Sequence, residues 1–284
     1  DCMRLDQWYT FAPLLYDFYN IDVDYYFSIL PSAPPFSRNA IFSGLFPSEI
    51  QLLYPDIWMP DDEDETSMNR HEAVMLEKLL SEAEIDLRGK FNYMKILDSD
   101  SGWALEKRIA SYLGNSLIAL VLNFVDILAH RRVDSDFLKE ILPNESSYRS
   151  VVRTWFQHSW IYSVLRKFAD ADFTIILTSD HGSIRVQNDV KVIADKTTST
   201  NIRFKSGKNL NCPPKYALNI KNPAEYKLPD LGINTNYLIA KENFYFVYPT
   251  NYHKFQTFFK DTFQHGGISM EEMILPIVTM TPKK

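Results

Sequence analysis

Phe173-Thr174-Ile175-Ile176-Leu177-Thr178-Ser179-Asp180-His181-Gly182 reads as a short buried strand that ends on a carboxylate, an imidazole and a glycine. The run is too short for a helix, and its β-branched composition suits the interior of a sheet. In an open α/β sheet, ligand sites collect outside the carboxyl ends of the strands. Asp180 and His181 therefore stand where chemistry is expected. The arrangement recurs upstream: Ser116 to Val125 is the longest apolar run, and it leads into Asp126 and His130 as D-x-x-x-H. His265 opens a His-Gly-Gly turn late in the chain, and Asp1 stands at its start. Either local pattern alone arises easily by chance, but their joint placement after two strand-like runs does not. Six oxygen and nitrogen donors suffice to hold two divalent ions as two triads. Zinc takes His nitrogen and Asp oxygen at about 2.0–2.2 Å and keeps a position open in its catalytic sites. Two ions about 3.5–4 Å apart can clamp the attacking and leaving oxygens of a phosphoryl transfer.

Composition narrows the partners. With 284 residues, 45% hydrophobic and 14% aromatic, the chain has ample material for a buried core. No apolar stretch approaches the roughly 20 residues needed to cross a bilayer, so no membrane partner is expected. A formal charge of −6 argues against a sequence-independent grip on nucleic acid. Two divalent cations would cancel four of those charges, which keeps an anionic substrate admissible. Cys2 and Cys212 fit no metal-binding spacing and read as reduced thiols, which points to a reducing, cytoplasmic compartment. The chain opens abruptly at Asp1-Cys2-Met3-Arg4. A strand is expected to lead into a metal-binding Asp1, so the chain is expected to be a piece of a longer protein.

Along the chain, strands alternate with helices, which predicts an α/β fold with a mostly parallel central sheet and helices on both faces. The spacing predicts a first helix over Asp6–Tyr16 and a strand over Tyr25–Leu30. Pro31 to Pro35 is expected to break regular structure, and a helix starting at Arg38 runs toward Gly44. Asp61–Glu65 reads as a solvated acidic loop. Ser67–Ala83 is an amphipathic helix with Val74, Leu76, Leu79 and Leu80 on its apolar side, and His71 near its start reads as exposed or capping. Further helices are expected over Trp103–Leu113 and, as one long element containing His158, over Ser146–Asp170. From Arg185 to Tyr252 the composition turns to Thr, Asn, Lys, Tyr and Pro, which predicts a cap inserted within a single domain spanning residues 1–284.

The six donors resemble the metal pattern of the alkaline phosphatase superfamily. Asp126, His130 and His265 match one triad in order and spacing, and Asp1, Asp180 and His181 match the other. The local wording of Asp1-Cys2-Met3-Arg4-Leu5-Asp6-Gln7-Trp8, of Arg38 to Pro47, and of His265-Gly266-Gly267-x-Ser269-x-Glu271-Glu272 is similar to the PglZ branch. It is most similar to the output domain of PorX-type response regulators, a group linked to type IX secretion control. The resemblance covers essentially the whole chain. It implies an alkaline-phosphatase-like fold, two bound divalent ions (zinc before manganese), and phosphodiesterase or phosphatase action on nucleotide phosphate esters. It also implies an N-terminal receiver domain in the full-length protein, and a homodimer that forms when the receiver is phosphorylated.

One position departs from the pattern. Counting back from Gly44 by the spacing usual in the phosphodiesterase members lands on Pro34, which has neither hydroxyl nor backbone N–H. Ser32 and Ser37 are the nearby hydroxyls. Ser32 is the candidate nucleophile if the proline loop is re-routed, with turn formation as its plain alternative. Ser37 reads equally well as a helix cap. Attack by water is the third route, since zinc lowers the pKa of its water to about 7. A sulfatase motif begins at Ser32-Ala33-Pro34, but Phe36 stands where Arg is required. Arg38 is a candidate phosphate contact, because a guanidinium offers a planar fork of donors; a surface salt bridge is the alternative. Pro34 also admits a reading without turnover, in which a metal-stabilised module binds a nucleotide or protein partner.

Overall fold

The computed structural model describes residues 1–56, 69–85, 87, 89–192 and 201–284. The expected acidic loop Asp61–Glu65 lies outside the described residues. Two compact units are present. The first comprises Asp1–Tyr26, Ile85–Ser179 and Ile274–Lys284, and the second Phe27–Glu84 and Asp180–Met273. Among the described residues, no helix is long and apolar enough to cross a membrane.

In the first unit, the C-terminal strand Ile274–Pro282 lies between Tyr19–Phe27 and Ile175–Thr178. It runs antiparallel to the latter, with Ile277 opposite Thr178 and Met280 opposite Ile175. A separate parallel pair joins Lys90–Ile96 to Asn115–Leu122 through the helix Ser99–Arg108, a short β-α-β unit. The parallel pairing expected from the sequence is thus present in that unit but not at the C-terminal strand. The first helix spans Leu5–Phe11 and tightens into a 3₁₀ turn over Ala12–Leu15. Pro13 explains the change, since it offers no N–H to continue the α-helical ladder. This helix packs on Glu145–His158, where Phe11 stacks on Phe156 with centroids 4.2 Å apart. The single long helix expected over Ser146–Asp170 is two, Glu145–His158 and Trp160–Asp170, parted at Ser159 in an extended conformation. Ser159 turns its hydroxyl back to the Phe156 carbonyl and ends the first helix.

The second unit is organised by an antiparallel sheet in which Thr235–Ala240 is central, flanked by Phe204–Lys208 and Ala217–Ile220. The central strand buries both faces, as its two-residue period requires. Tyr237 and Ile239 join a cluster with Ala33, Phe36, Ile50 and Met75. Leu238 and Ala240 join another with Val190, Val192, Leu210, Cys212 and Phe246. The segment expected to form a cap therefore packs with Ala33, Phe36, Ile50 and Met75 around one shared apolar cluster. A second parallel pair, Phe244–Val247 with Asn188–Lys191, belongs to the same unit.

Two local expectations change here. Pro34 and Pro35 open the helix Pro34–Ser43 rather than interrupting structure, because the first helical turn needs no N–H partners. Gly44, at φ 69°, ends that helix as expected. Ser37 consequently lies inside the helix and returns its hydroxyl to the Ala33 carbonyl at 2.9 Å, so it is no cap. The helix Glu72–Glu82 buries Glu72 and Met75 while Val74 is exposed, so its buried edge is rotated from the predicted apolar side.

Lys205 sits on the buried face opposite Leu238, with its ammonium 4.5 Å from the Tyr248 ring centroid. Burial pulls its pKa down to about 7. The unfolded chain keeps this lysine charged up to about pH 10.4, so folding expels a proton between pH 7 and that value. Stability due to this group therefore rises with pH, by up to about 1.4 kcal/mol per unit. We expect Lys205→Met to be more stable than the parent in urea titrations at pH 7, with the gap narrowing toward pH 10. A gap independent of pH would sink this reading. A second test lies in the first unit, where a Cβ on Gly102 would meet the Trp160 indole at 2.0 Å. Alanine normally gains about 1 kcal/mol over glycine inside a helix. Here overpacking costs about 1–3 kcal/mol, so Gly102→Ala is expected to lower the thermal midpoint.

Candidate metal centre

The strand Ile175–Thr178 passes through Ser179 into Asp180, as the sequence predicts. Asp180, His181 and His265 are all buried within the second unit. The Asp180 carboxylate accepts a hydrogen bond from the His181 backbone N–H at 3.1 Å. Its other oxygen lies 3.6 Å from His181 Nε2 and 3.7 Å from Arg38 Nη1. The His181 and His265 rings stack with centroids 4.3 Å apart. His181 Nδ1 sits 3.0 Å from the Gly182 carbonyl. A carbonyl can only accept, so Nδ1 donates in this contact and Nε2 lies on the Asp180 side. Metal-ligating histidines are commonly oriented through the other ring nitrogen in this way. Carboxylate oxygen and imidazole nitrogen are the donor types that a divalent ion such as zinc takes.

His265 arrives on the strand Phe263–Gln264, which pairs with Ile184–Arg185, and its turn is braced from several sides. Gly266 adopts φ 113°, a conformation that favours glycine. The Ser32 hydroxyl accepts from the Gly266 N–H at 3.2 Å and donates to the Gly267 carbonyl at 2.8 Å. The Gly267 N–H donates to Glu272 Oε1 at 2.8 Å. Glu272 in turn forms a fork with Arg203, with Nε to Oε1 at 3.0 Å and Nη2 to Oε2 at 2.6 Å. Both side chains are wholly buried.

Arg38 is buried as well, with its Nε 2.5 Å from Glu72 Oε1. Its guanidinium is therefore held on the Asp180 side rather than on the surface. Neither Glu72 nor Arg203 was marked by the sequence reading. Glu72 shares the buried edge of its helix with Met75, an edge the apolar spacing did not mark, so it carried no local signal. Arg203 lies in the polar stretch read as a cap and carried none either.

The remaining candidates belong to the first unit. The strand expected to end on Asp126 stops at Leu122, and Asp126 occupies the first turn of the helix Phe124–Asp134. Positions i and i+4 face the same way on a helix, and His130 Nε2 lies 3.3 Å from Asp126 Oδ1. The imidazole of His130 is 49% exposed, against 16% for the Asp126 side chain. Next to Asp1, Cys2 takes φ 62°, and the Met3 N–H donates to the Ser179 hydroxyl at 2.8 Å. The start of the chain is thereby tied to the residue directly ahead of Asp180. Arg4 adds a second tie, bridging Asp6 and Glu145 at 2.8 and 2.6 Å. Asp6 is thus engaged with Arg4 and Arg149, while Glu272 pairs with Arg203 and Glu271 is exposed. Cys2 and Cys212 are buried and lie outside any disulfide.

No curated protein sequence matches the chain. Among solved structures, the phosphonoacetate hydrolase of Sinorhizobium meliloti 1021 in complex with phosphonoformate is similar at 12% identity and a TM-score of 0.40, covering 64% of this chain. The same hydrolase in complex with phosphonoacetate gives 11% identity and a TM-score of 0.37. The chain spans half the length of that enzyme. A family model described as the BREX system PglZ alkaline phosphatase-like domain matches residues 1–280. The chain belongs to the PglZ family and is an alkaline-phosphatase-like domain.

Proposed function

We propose that this domain binds two divalent ions, zinc foremost, and hydrolyses phosphate esters of nucleotides. The observation that carries the reading is the buried Asp180–His181–His265 cluster, with the two imidazole rings stacked and His181 Nδ1 held against the Gly182 carbonyl. In this proposal Asp1, Asp180 and His181 hold one ion, and Asp126, His130 and His265 hold the other. The triads follow the order and spacing of the superfamily. Such ions polarise phosphoryl oxygens and lower the pKa of water. Arg38, held by Glu72, supplies a fixed positive charge for a phosphate oxygen.

Attack by water suits this chain better than attack by a side chain. Pro34 opens a helix and has no hydroxyl, Ser37 is bonded to Ala33, and Ser32 is enclosed between Gly266 and Gly267. The proposal therefore does without Ser32 as nucleophile and gives it a role in the turn. The wording around Asp1, Arg38 and His265 further supports an output domain of a PorX-type response regulator. A receiver domain ahead of Asp1, a phosphorylation-driven homodimer, a mostly parallel central sheet and a cytoplasmic setting belong to that same proposal. A second reading, favoured by Pro34, is a metal-stabilised module that binds a nucleotide or protein without turnover.

Bound zinc and hydrolysis of a bis-ester model substrate, measured on one preparation, separate the readings. Asp180→Asn, which removes a ligand's charge, is expected to weaken metal binding by more than the roughly 10–100-fold that loss of an orienting partner costs, and to lower hydrolysis with it. Unchanged zinc content in both Asp180→Asn and His265→Ala would remove the metal assignment. Zinc retained without hydrolysis in the parent, with activity appearing in Pro34→Thr, would establish the silent module instead. Water attack also predicts that rapid quenching traps no phosphorylated serine; a phosphoserine at Ser32 would restore the side-chain route.

A further inference from the structure

We infer that Arg203, acting through Glu272, is the positioning residue for both histidines of the proposed metal centre; the inference rests on His181 and His265 being ligands. Glu272 touches both histidine segments. Its side chain accepts the Gly267 N–H, two residues beyond His265, and its backbone carbonyl accepts the Gly182 N–H at 3.0 Å, one residue beyond His181. Glu272 is held in turn by Ser269, whose hydroxyl accepts the Glu272 N–H at 3.1 Å. Arg203 fixes the carboxylate with two donors and anchors its own fork elsewhere. Nη2 also donates to the Glu242 carbonyl at 2.7 Å, and Nη1 donates to the Phe244 carbonyl. The guanidinium thus joins the start of the strand Phe244–Val247 to the turn that carries His265.

Packing reinforces the link. A Cβ on Gly267 would lie 2.3 Å from Arg203 Nη2 and 2.7 Å from the Ala240 carbonyl oxygen. The second glycine of the turn is therefore the space in which the guanidinium sits. A rigid planar fork suits this role, and lysine offers only a single point charge. A buried ion pair is weak evidence for stability, since apolar replacement of both partners is often neutral or stabilising. Its retention at full burial beneath two ligand segments is explained by orientation: partners that orient metal ligands typically contribute 10–100-fold in affinity.

The test uses the whole chain, with zinc affinity read by chelator competition and the metal-free fold read by circular dichroism and urea unfolding. The double variant Arg203→Met/Glu272→Met leaves no unpaired charge, and we expect it to fold while binding zinc about 10–100-fold more weakly. Arg203→Lys keeps the charge and loses the fork; it is expected to fold and to show a weakening in the same direction. If the double variant does not fold, Arg203→Lys alone decides. A purely structural pair would lower metal-free stability in either variant and leave zinc affinity at the parent value, which would overturn the inference. His265→Ala separates this from failure of the metal reading. Lost affinity in His265→Ala with parental affinity in the Arg203 variants defeats the positioning role, whereas no loss in His265→Ala defeats the metal assignment itself.

Discussion

A fully buried arginine–glutamate fork, Arg203 with Glu272, organises the second unit around the two histidines. Two charges removed from water each cost several kcal/mol, and only close, multiply bonded geometry recovers that loss. The structure meets the condition, because both carboxylate oxygens and the guanidinium's Nε, Nη1 and Nη2 are engaged by named partners. Breaking one partner alone would strand a buried charge, at about 3–5 kcal/mol. The neighbouring choices follow from this pair. Gly267 must lack a side chain for the guanidinium to fit, and Ser32 closes the turn from the other side.

A second buried pair, Arg38 with Glu72, has a different consequence. Arg38 Nη1 is near Asp180 but at 3.7 Å lies beyond hydrogen-bond distance. The guanidinium therefore moderates the negative charge of Asp180 from a distance. In the metal reading, that combination permits ligation and leaves a cation beside the phosphoryl group. A carboxylate tied directly into a bidentate arginine fork would be a poorer ligand, since its oxygens would already be committed. Glu272 shows that committed arrangement, and no ligand role is assigned to it.

The candidate site could be marked in the sequence because the proposed ligands sit where local periodicity changes. Asp180 and His181 follow a β-branched run, Asp126 follows an apolar one, and His265 precedes a glycine pair. Such boundaries are visible to propensity and spacing. What stayed hidden depends on contacts distant in sequence. Arg203 and Glu272 are separated by |i−j| of 69, and Arg38 and Glu72 by 34, so nothing local announces either pair. The errors in element boundaries have local causes that were underweighted. Pro34 and Pro35 read as breakers although the first helical turn tolerates them, and Ser159 parts two helices that share one aromatic pattern. Val74 faces solvent because the charge on Glu72 turns that helix edge inward toward Arg38.

The proline loop links these observations to the chemistry. In the superfamily's phosphodiesterase members a hydroxyl would stand where Pro34 does, and a helix would follow it. Here the helix starts on the proline itself, so the site of the missing nucleophile has become the first turn of Pro34–Ser43. That turn carries Arg38 one helical turn further on, and the Ser32 hydroxyl just ahead of it is taken up by the His265 turn. The loop's two polar functions are thereby reassigned, one to holding a ligand segment and the other to placing a buried cation beside Asp180. A chain that lost only its nucleophile would have no reason to keep the loop so tightly bonded to the histidine turn. Under the proposed water attack, that bonding holds the His265 turn in place while the loop supplies no attacking group.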